Sequence, residues 1–234
     1  MRAILKREFR AYFQSPLGYV FVAALYFFSG YYLFTYNLYG GTTNMTRLFG
    51  LLFPVVLFLV PVLTMRLLSE DRRLKTDQLL LTSPVTPLDI VLAKYLAALA
   101  VFVIGILAPL LHAAVLSFYG PLDWPAVVGN WLGLFLLGAA LIAIGMFLSS
   151  LTESQVVAAV AGFVVSLFLM LVDALALVVD SAFWQEFFRQ LSFNKRYEPF
   201  TLGILELPGV VFFLSIGALF VLLTVARLDR ERWG

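Results

Sequence analysis

The 234-residue sequence has no cysteine, a single histidine and only 13% charged residues. Without cysteine there is no disulfide, no thiolate metal site and no cysteine nucleophile. One histidine and no clustered carboxylates leave no ligand set for a metal. A formal net charge of +2 provides no footprint for nucleic acid, which is excluded as a partner. No Gly-Lys-Ser or Gly-Lys-Thr occurs, so there is no phosphate-cradling loop, and no cofactor is expected on this chain.

Apolar side chains make up 62% of the residues. A soluble domain carries about twice this share of charge and has to keep its surface wetted. Lipid removes that constraint. Six runs of at least 18 residues contain no Asp, Glu, Lys or Arg: 11–46, 48–65, 95–122, 124–152, 154–172 and 207–226. A helix needs about 20 apolar residues to cross the hydrocarbon core. In lipid each run must be helical, since unpaired backbone groups find no partner there. A barrel would show short alternating segments instead. Gly40, Gly41, Thr42, Thr43 and Asn44 close the first run as a loop, so it holds one span.

The expected fold is therefore all-α: a polytopic membrane protein forming one domain over 1–234. Its six transmembrane helices are expected near 17–38, 48–67, 90–118, 126–149, 155–177 and 206–226. The first apolar run is too long for a signal h-region and lacks a small-residue cleavage site, so the N-terminus is expected to stay in place.

Residues 2–14 set Ile4, Leu5, Phe9, Tyr12 and Phe13 on one helical face, with Arg2, Lys6, Arg7 and Arg10 over the rest. That is an amphipathic elbow helix lying in the headgroup plane. Ser15-Pro16 ends it. With six spans and the N-terminus inside, 12 of the 16 Lys and Arg residues fall on inner segments. This bias places both termini in the cytoplasm.

Two connections are long. The outer one, 173–206, carries Phe183, Trp184, Phe187, Phe188 and Leu191 at helical spacing. It reads either as an amphipathic helix on the outer interface or as an aromatic anchor. The cytoplasmic one, 66–94, has a charged first half, the cluster Leu79, Leu80, Leu81 and a Pro-bounded turn. Thr86 or Asp89 is placed to cap the next helix. Apolar anchors in a polar rim suit a docking surface, and a solvated turn has the same composition.

The stretch Ser69-Glu70-Asp71-Arg72 through Val85 resembles the first cytoplasmic loop of type-2 ABC exporter permeases, approximately S-E-E-[KR]-x-x-G-T-L-E-L-L-L-T-x-P-V. Ser69, Glu70, Asp71, Arg72, Thr76, Leu79, Leu80, Leu81, Thr82, Pro84 and Val85 match. Lys75 stands where glycine is usual, Asp77 where leucine is, and Gln78 where glutamate is. The run from Leu191-Ser192-Phe193 to Arg196-Tyr197-Glu198-Pro199-Phe200-Thr201-Leu202-Gly203 is similar to the gliding-motility-associated branch of those permeases.

The resemblance implies a permease in a bacterial inner membrane with no ATPase site of its own. It implies two permease subunits, identical or homologous, paired with separate nucleotide-binding ATPase subunits that carry the ATP and Mg. Glu70, Asp71, Arg72, Arg73, Thr76, Gln78, Leu79, Leu80, Leu81, Thr82 and Pro84 would then form the coupling segment. The output is transport of a substrate or mechanical work on an auxiliary envelope protein. Exported polymers, peptides and lipids are not distinguished.

Ala158, Gly162 and Ser166 lie at four-residue spacing in span five, and Gly138 and Gly145 lie two turns apart in span four. Small residues let helices approach in lipid, so the first set suits either a dimer contact or packing within the subunit. Pro54, Pro61 and Pro109 fall inside spans, as hinges or static bends. His112 has no acidic residue one turn away and is expected to hydrogen-bond between helices. Asn37 and Asn130 are expected to bond at span ends. An ion-coupled secondary transporter would place charges at mid-membrane. A structural membrane anchor would leave the patterned loop without a purpose.

Overall fold

The computed structural model describes residues 1–75, 86–179 and 181–233. The elbow is helix α1 (Arg2–Gln14), which ends at Ser15 in an extended conformation. Pro16 then opens α2 (Pro16–Tyr32), the position where a missing N–H costs no hydrogen bond. A π-helical stretch, Leu33–Leu38, completes the first span, and Gly41 turns the chain with φ +62°. The Cβ of any residue replacing Gly18 would sit 2.6 Å from the Tyr12 carbonyl oxygen, so glycine lets the elbow fold back on the span.

The later helices are α3 (Thr46–Thr64), α4 (Ser69–Arg73), α5 (Pro87–Leu116), α6 (Trp124–Ser149), α7 (Gln155–Val178), α8 (Ala182–Leu191), α9 (Phe193–Thr201) and α10 (Leu207–Trp233). Among the described residues there is no strand. Among the described residues, six helices are long and apolar enough to span a bilayer: Pro16–Leu38, Thr46–Arg73, Pro87–Leu116, Trp124–Ser149, Gln155–Ala176 and Leu207–Arg230. The third begins earlier than 90 because Thr86 caps it. The Thr86 hydroxyl accepts from Asp89 N at 3.2 Å and donates to the Asp89 carboxylate at 2.8 Å. Asp123 and Ser154 cap α6 and α7 by accepting from Ala126 N and Val157 N.

The fourth span is the centre of the bundle: 72% of its apolar window is buried, against 22% for the first and 28% for the sixth. The Ala, Gly, Leu and Ile side chains of α6 let α3, α5 and α10 close around it. Gly138 receives the Phe102 ring of α5, and Gly145 receives Thr64 of α3. A Cβ at Gly138 would lie 2.1 Å from two Phe102 ring atoms. That ring is buried and rests against Phe21, which limits its escape. Gly138→Val is therefore expected to destabilise the protein by about 1–3 kcal/mol. A thermal melt in nanodiscs checks this, and an unchanged Tm would mean that the ring moves aside.

The outer connection forms two helices. Its aromatic segment forms α8, with Phe183, Trp184 and Phe187 exposed. The next segment packs into the bundle. In α9, Phe193, Tyr197 and Phe200 are buried, and the Tyr197 hydroxyl donates to the Phe49 carbonyl at 3.0 Å. Burial raises the Tyr197 phenol pKa. Gly133 leaves the space that Phe200 fills. α9 thus plugs the end of the bundle opposite the termini.

Candidate functional site

The chain turns directly from α3 into α4, and the turn is pinned by Ser149, the last residue of α6. The Ser149 hydroxyl accepts from Leu68 N and Ser69 N at 3.1 Å each. It donates to the Met65 carbonyl at 3.0 Å. One donor and two lone pairs are all used, so the start of α4 is fixed to span four.

Arg66 joins the same turn to the elbow. Its guanidinium pairs with Glu70 at 2.9 Å and donates to Ser15 Oγ at 2.7 Å and the Ala11 carbonyl at 3.2 Å. It also lies 5.3 Å from the centre of the Tyr12 ring. The Tyr12 hydroxyl donates to the Leu63 carbonyl at 2.9 Å. Burial raises the pKa of that phenol against the opposing charge of Arg66, which keeps it a donor at any physiological pH.

Lys94, two turns into α5, is the charge at the centre. It is 2% exposed, with its Nζ 2.7 Å from Asp71 Oδ2 and 3.2 Å from Glu8 Oε2. Glu8 also receives Arg7 at 2.7 Å. The bond to Glu8, supported by the charges of Glu8 and Asp71, raises the Arg7 pKa above its ordinary value against partial burial. One buried ammonium therefore ties the elbow, α4 and span three together. Burying such a charge is tolerable only when it is paired.

Glu70 and Asp71, the first residues of the expected coupling segment, pair within the chain with Arg66 and Lys94. Arg73, Leu74 and Lys75 are exposed beside them. Lys75 adopts φ 56°, the left-handed conformation that glycine takes most easily. This is the position where the resembled loop carries glycine, and it turns the chain out of α4. Thr76, Gln78, Leu79, Leu80, Leu81, Thr82 and Pro84 lie outside the described residues.

Gly162 and Ser166 face α3 of the same chain, and Ala158 on the same stripe is buried. Pro61 fills the space at Gly162, and the Ser166 hydroxyl donates to the Leu57 carbonyl at 2.6 Å. The stripe serves packing within the subunit. Pro61 is buried there, as Pro109 is in α5, and both helices continue through their prolines. His112 hydrogen-bonds Ser29 of the first span through Nδ1 at 2.9 Å, the interhelical role expected of it. Asn37 donates to the Thr42 and Asn44 carbonyls at 3.0 Å, closing the loop after the first span.

Sequence reasoning missed Glu8, Lys94 and Ser149. The available signal was Lys94 itself: a lysine bordering an apolar run needs a carboxylate partner. It also passed over Asp173, which sits within α7 with a buried Oδ1 that has no hydrogen-bond partner.

A family model described as "ABC-2 family transporter protein" matches residues 35–228. No curated protein matches the chain.

Proposed function

Because the chain belongs to the ABC-2 family of transporter proteins, a membership shown over residues 35–228, we propose that it is the membrane half of an ATP-driven exporter powered by a separate nucleotide-binding subunit. The general permease role follows from the family. The ATPase partner, the outward direction and the contact are this proposal.

In this account the segment 70–85 seats on the ATPase subunit. Leu79, Leu80 and Leu81 are its apolar anchors, and Arg72, Arg73, Thr76, Gln78, Thr82 and Pro84 are its polar rim and turn. ATP and Mg are held by the partner. Both termini and this segment face the cytoplasm, as the positive-inside bias requires. The gliding-motility branch, and with it a bacterial inner membrane and an auxiliary envelope protein, rests on the 191–203 resemblance alone.

One observation carries the reading: Lys94 joins Asp71 of α4 to Glu8 of the elbow inside a buried network. A displacement of α4 would therefore be passed to α1 and to spans two, three and four together. Such a junction transmits force only if ATP binding favours one of its arrangements over another. Family membership favours this reading over an ion-coupled secondary transporter or a structural membrane anchor. A second permease, identical or homologous, would complete the pathway. Its contact is drawn from the outward faces of α2 and α7, because the small-residue stripe is occupied by α3.

Purification from native membranes into nanodiscs tests the assignment. A nucleotide-binding subunit is expected to co-elute, with vanadate-sensitive ATP hydrolysis absent from the permease alone. A permease that never retains an ATPase would contradict it.

A further inference from the structure

At the end opposite the termini, a polar cavity of about 390 Å³ lies between the 39–45 loop and the start of α6. Thr42, Thr43, Thr46, Asp123 and Asn130 are among its walls. Tyr39, Phe118, Tyr119 and Trp124 project close to it in sequence and are exposed. Aromatics at span ends mark the headgroup level of a bilayer.

Asn130 is 1% exposed, and its Nδ2 donates to the Ala126 carbonyl at 2.7 Å. That bond fixes which way the amide points. The other end, Oδ1, is buried and has no hydrogen-bond partner. A buried acceptor left open calls for a donor. Two charged classes fit poorly. A cation would face the N-terminal ends of α3 and α6, both of which start at this cavity and carry positive partial charge. An anion would face Asp123 and the Asn130 oxygen. A hydroxyl satisfies both sides, donating to Asn130 and accepting from a threonine hydroxyl or a first-turn N–H.

A neighbouring cavity of about 450 Å³ shares Thr42, Asn44 and Thr46 with this one and reaches Arg47. The Arg47 guanidinium lies 4.2 Å from the centre of the Tyr36 ring. It offers a phosphate a cation next to an uncharged polar pocket.

We propose that this pair of cavities binds a phospholipid with a hydroxyl-bearing head group, its polyol against Asn130 and its phosphate toward Arg47. The site is independent of the ATPase contact and is tested separately from it. The protein is melted in phosphatidylcholine nanodiscs doped with phosphatidylglycerol, phosphatidic acid or phosphatidylethanolamine. Phosphatidylglycerol is expected to raise Tm by about 4 °C near tenfold saturation. Phosphatidic acid, which has the charge but no polyol, should give less, and phosphatidylethanolamine least. Asn130→Leu should remove the advantage of phosphatidylglycerol over phosphatidic acid. Arg47→Gln should weaken both. Thr46→Val gives a second reading if Asn130→Leu folds poorly.

Equal shifts from phosphatidylglycerol and phosphatidic acid would overturn the proposal and leave a water-filled cavity beside a general charge effect. So would a larger shift from phosphatidylethanolamine, or an advantage that survives both pocket variants. An equal shift from soluble glycerophosphoglycerol in undoped discs would overturn the lipid as the source.

Discussion

Replacing Lys94 with methionine should lower Tm by about 6–12 °C and abolish coupled transport. The change keeps an unbranched side chain one atom shorter and removes the ammonium that pairs with both Glu8 and Asp71. Breaking a buried ion pair by removing one partner costs about 3–5 kcal/mol. The carboxylates are 13% and 14% exposed, so water reaches their edges and the lower end of that range applies. For a chain of this size, each kcal/mol moves Tm by about 2–4 °C. The sign of the effect has an internal control. The triple variant Lys94→Met, Glu8→Gln, Asp71→Asn removes the two carboxylates that Lys94→Met alone leaves unneutralised and should recover at least half of the lost Tm. It should not recover coupling, because neutral amides do not hold α1 and α4 to span three as an ammonium does. A Lys94→Met protein that melts and transports like the parent would show that the junction does neither job.

Leu80→Asp should give the opposite pattern: an unchanged permease that has lost its engine. The leucine cluster is the proposed anchor in the ATPase subunit, and central apolar anchors typically dominate such contacts. A carboxylate in that groove loses the anchor and buries an unpaired charge. Affinity for the ATPase should fall by about 100-fold, equivalent to about 2.7 kcal/mol. Transport should fall with it, while the Tm of the isolated permease changes by no more than about 2 °C. Gel filtration of the complex and a melt of the isolated permease separate the two effects. Full co-purification with intact transport would remove the leucines from the contact.

The six spans were legible because their signal is local. A charge-free run of span length has few alternatives in lipid, and the elbow announces itself by its amphipathic face. Caps were legible for the same reason: Thr86, Pro87 and Asp89 lie within four residues of one another. The core of the candidate site was not. Lys94, Asp71 and Glu8 are separated by 23 and 63 positions (94 − 71 and 71 − 8) and meet only because α1 folds back across α5. Nothing local distinguishes Asp71, which turns inward, from the exposed Arg73 two residues on. The burial of α9 was hidden too. Its polar Asn194, Lys195, Arg196 and Glu198 suggest an exposed loop, while Tyr197 reaches the carbonyl of Phe49, 148 residues away. The small-residue stripe of α7 illustrates the limit of pattern: spacing shows that a helix approaches closely, and only the fold shows that the helix is α3. Lys75 is a milder case. Its unusual residue type at a glycine position became interpretable once φ was known.

The absence of cysteine makes the central claim directly measurable, since any introduced cysteine is the permease's only thiol. Leu80→Cys and Tyr119→Cys, on opposite faces in this account, are each treated in native membranes with a cysteine-to-amine crosslinker. The account predicts an adduct between the permease and a nucleotide-binding subunit from position 80, changing in yield when ATP is trapped, and none from position 119. An adduct from 119 alone, or no ATPase adduct from 80 in a complex that still transports, would contradict it.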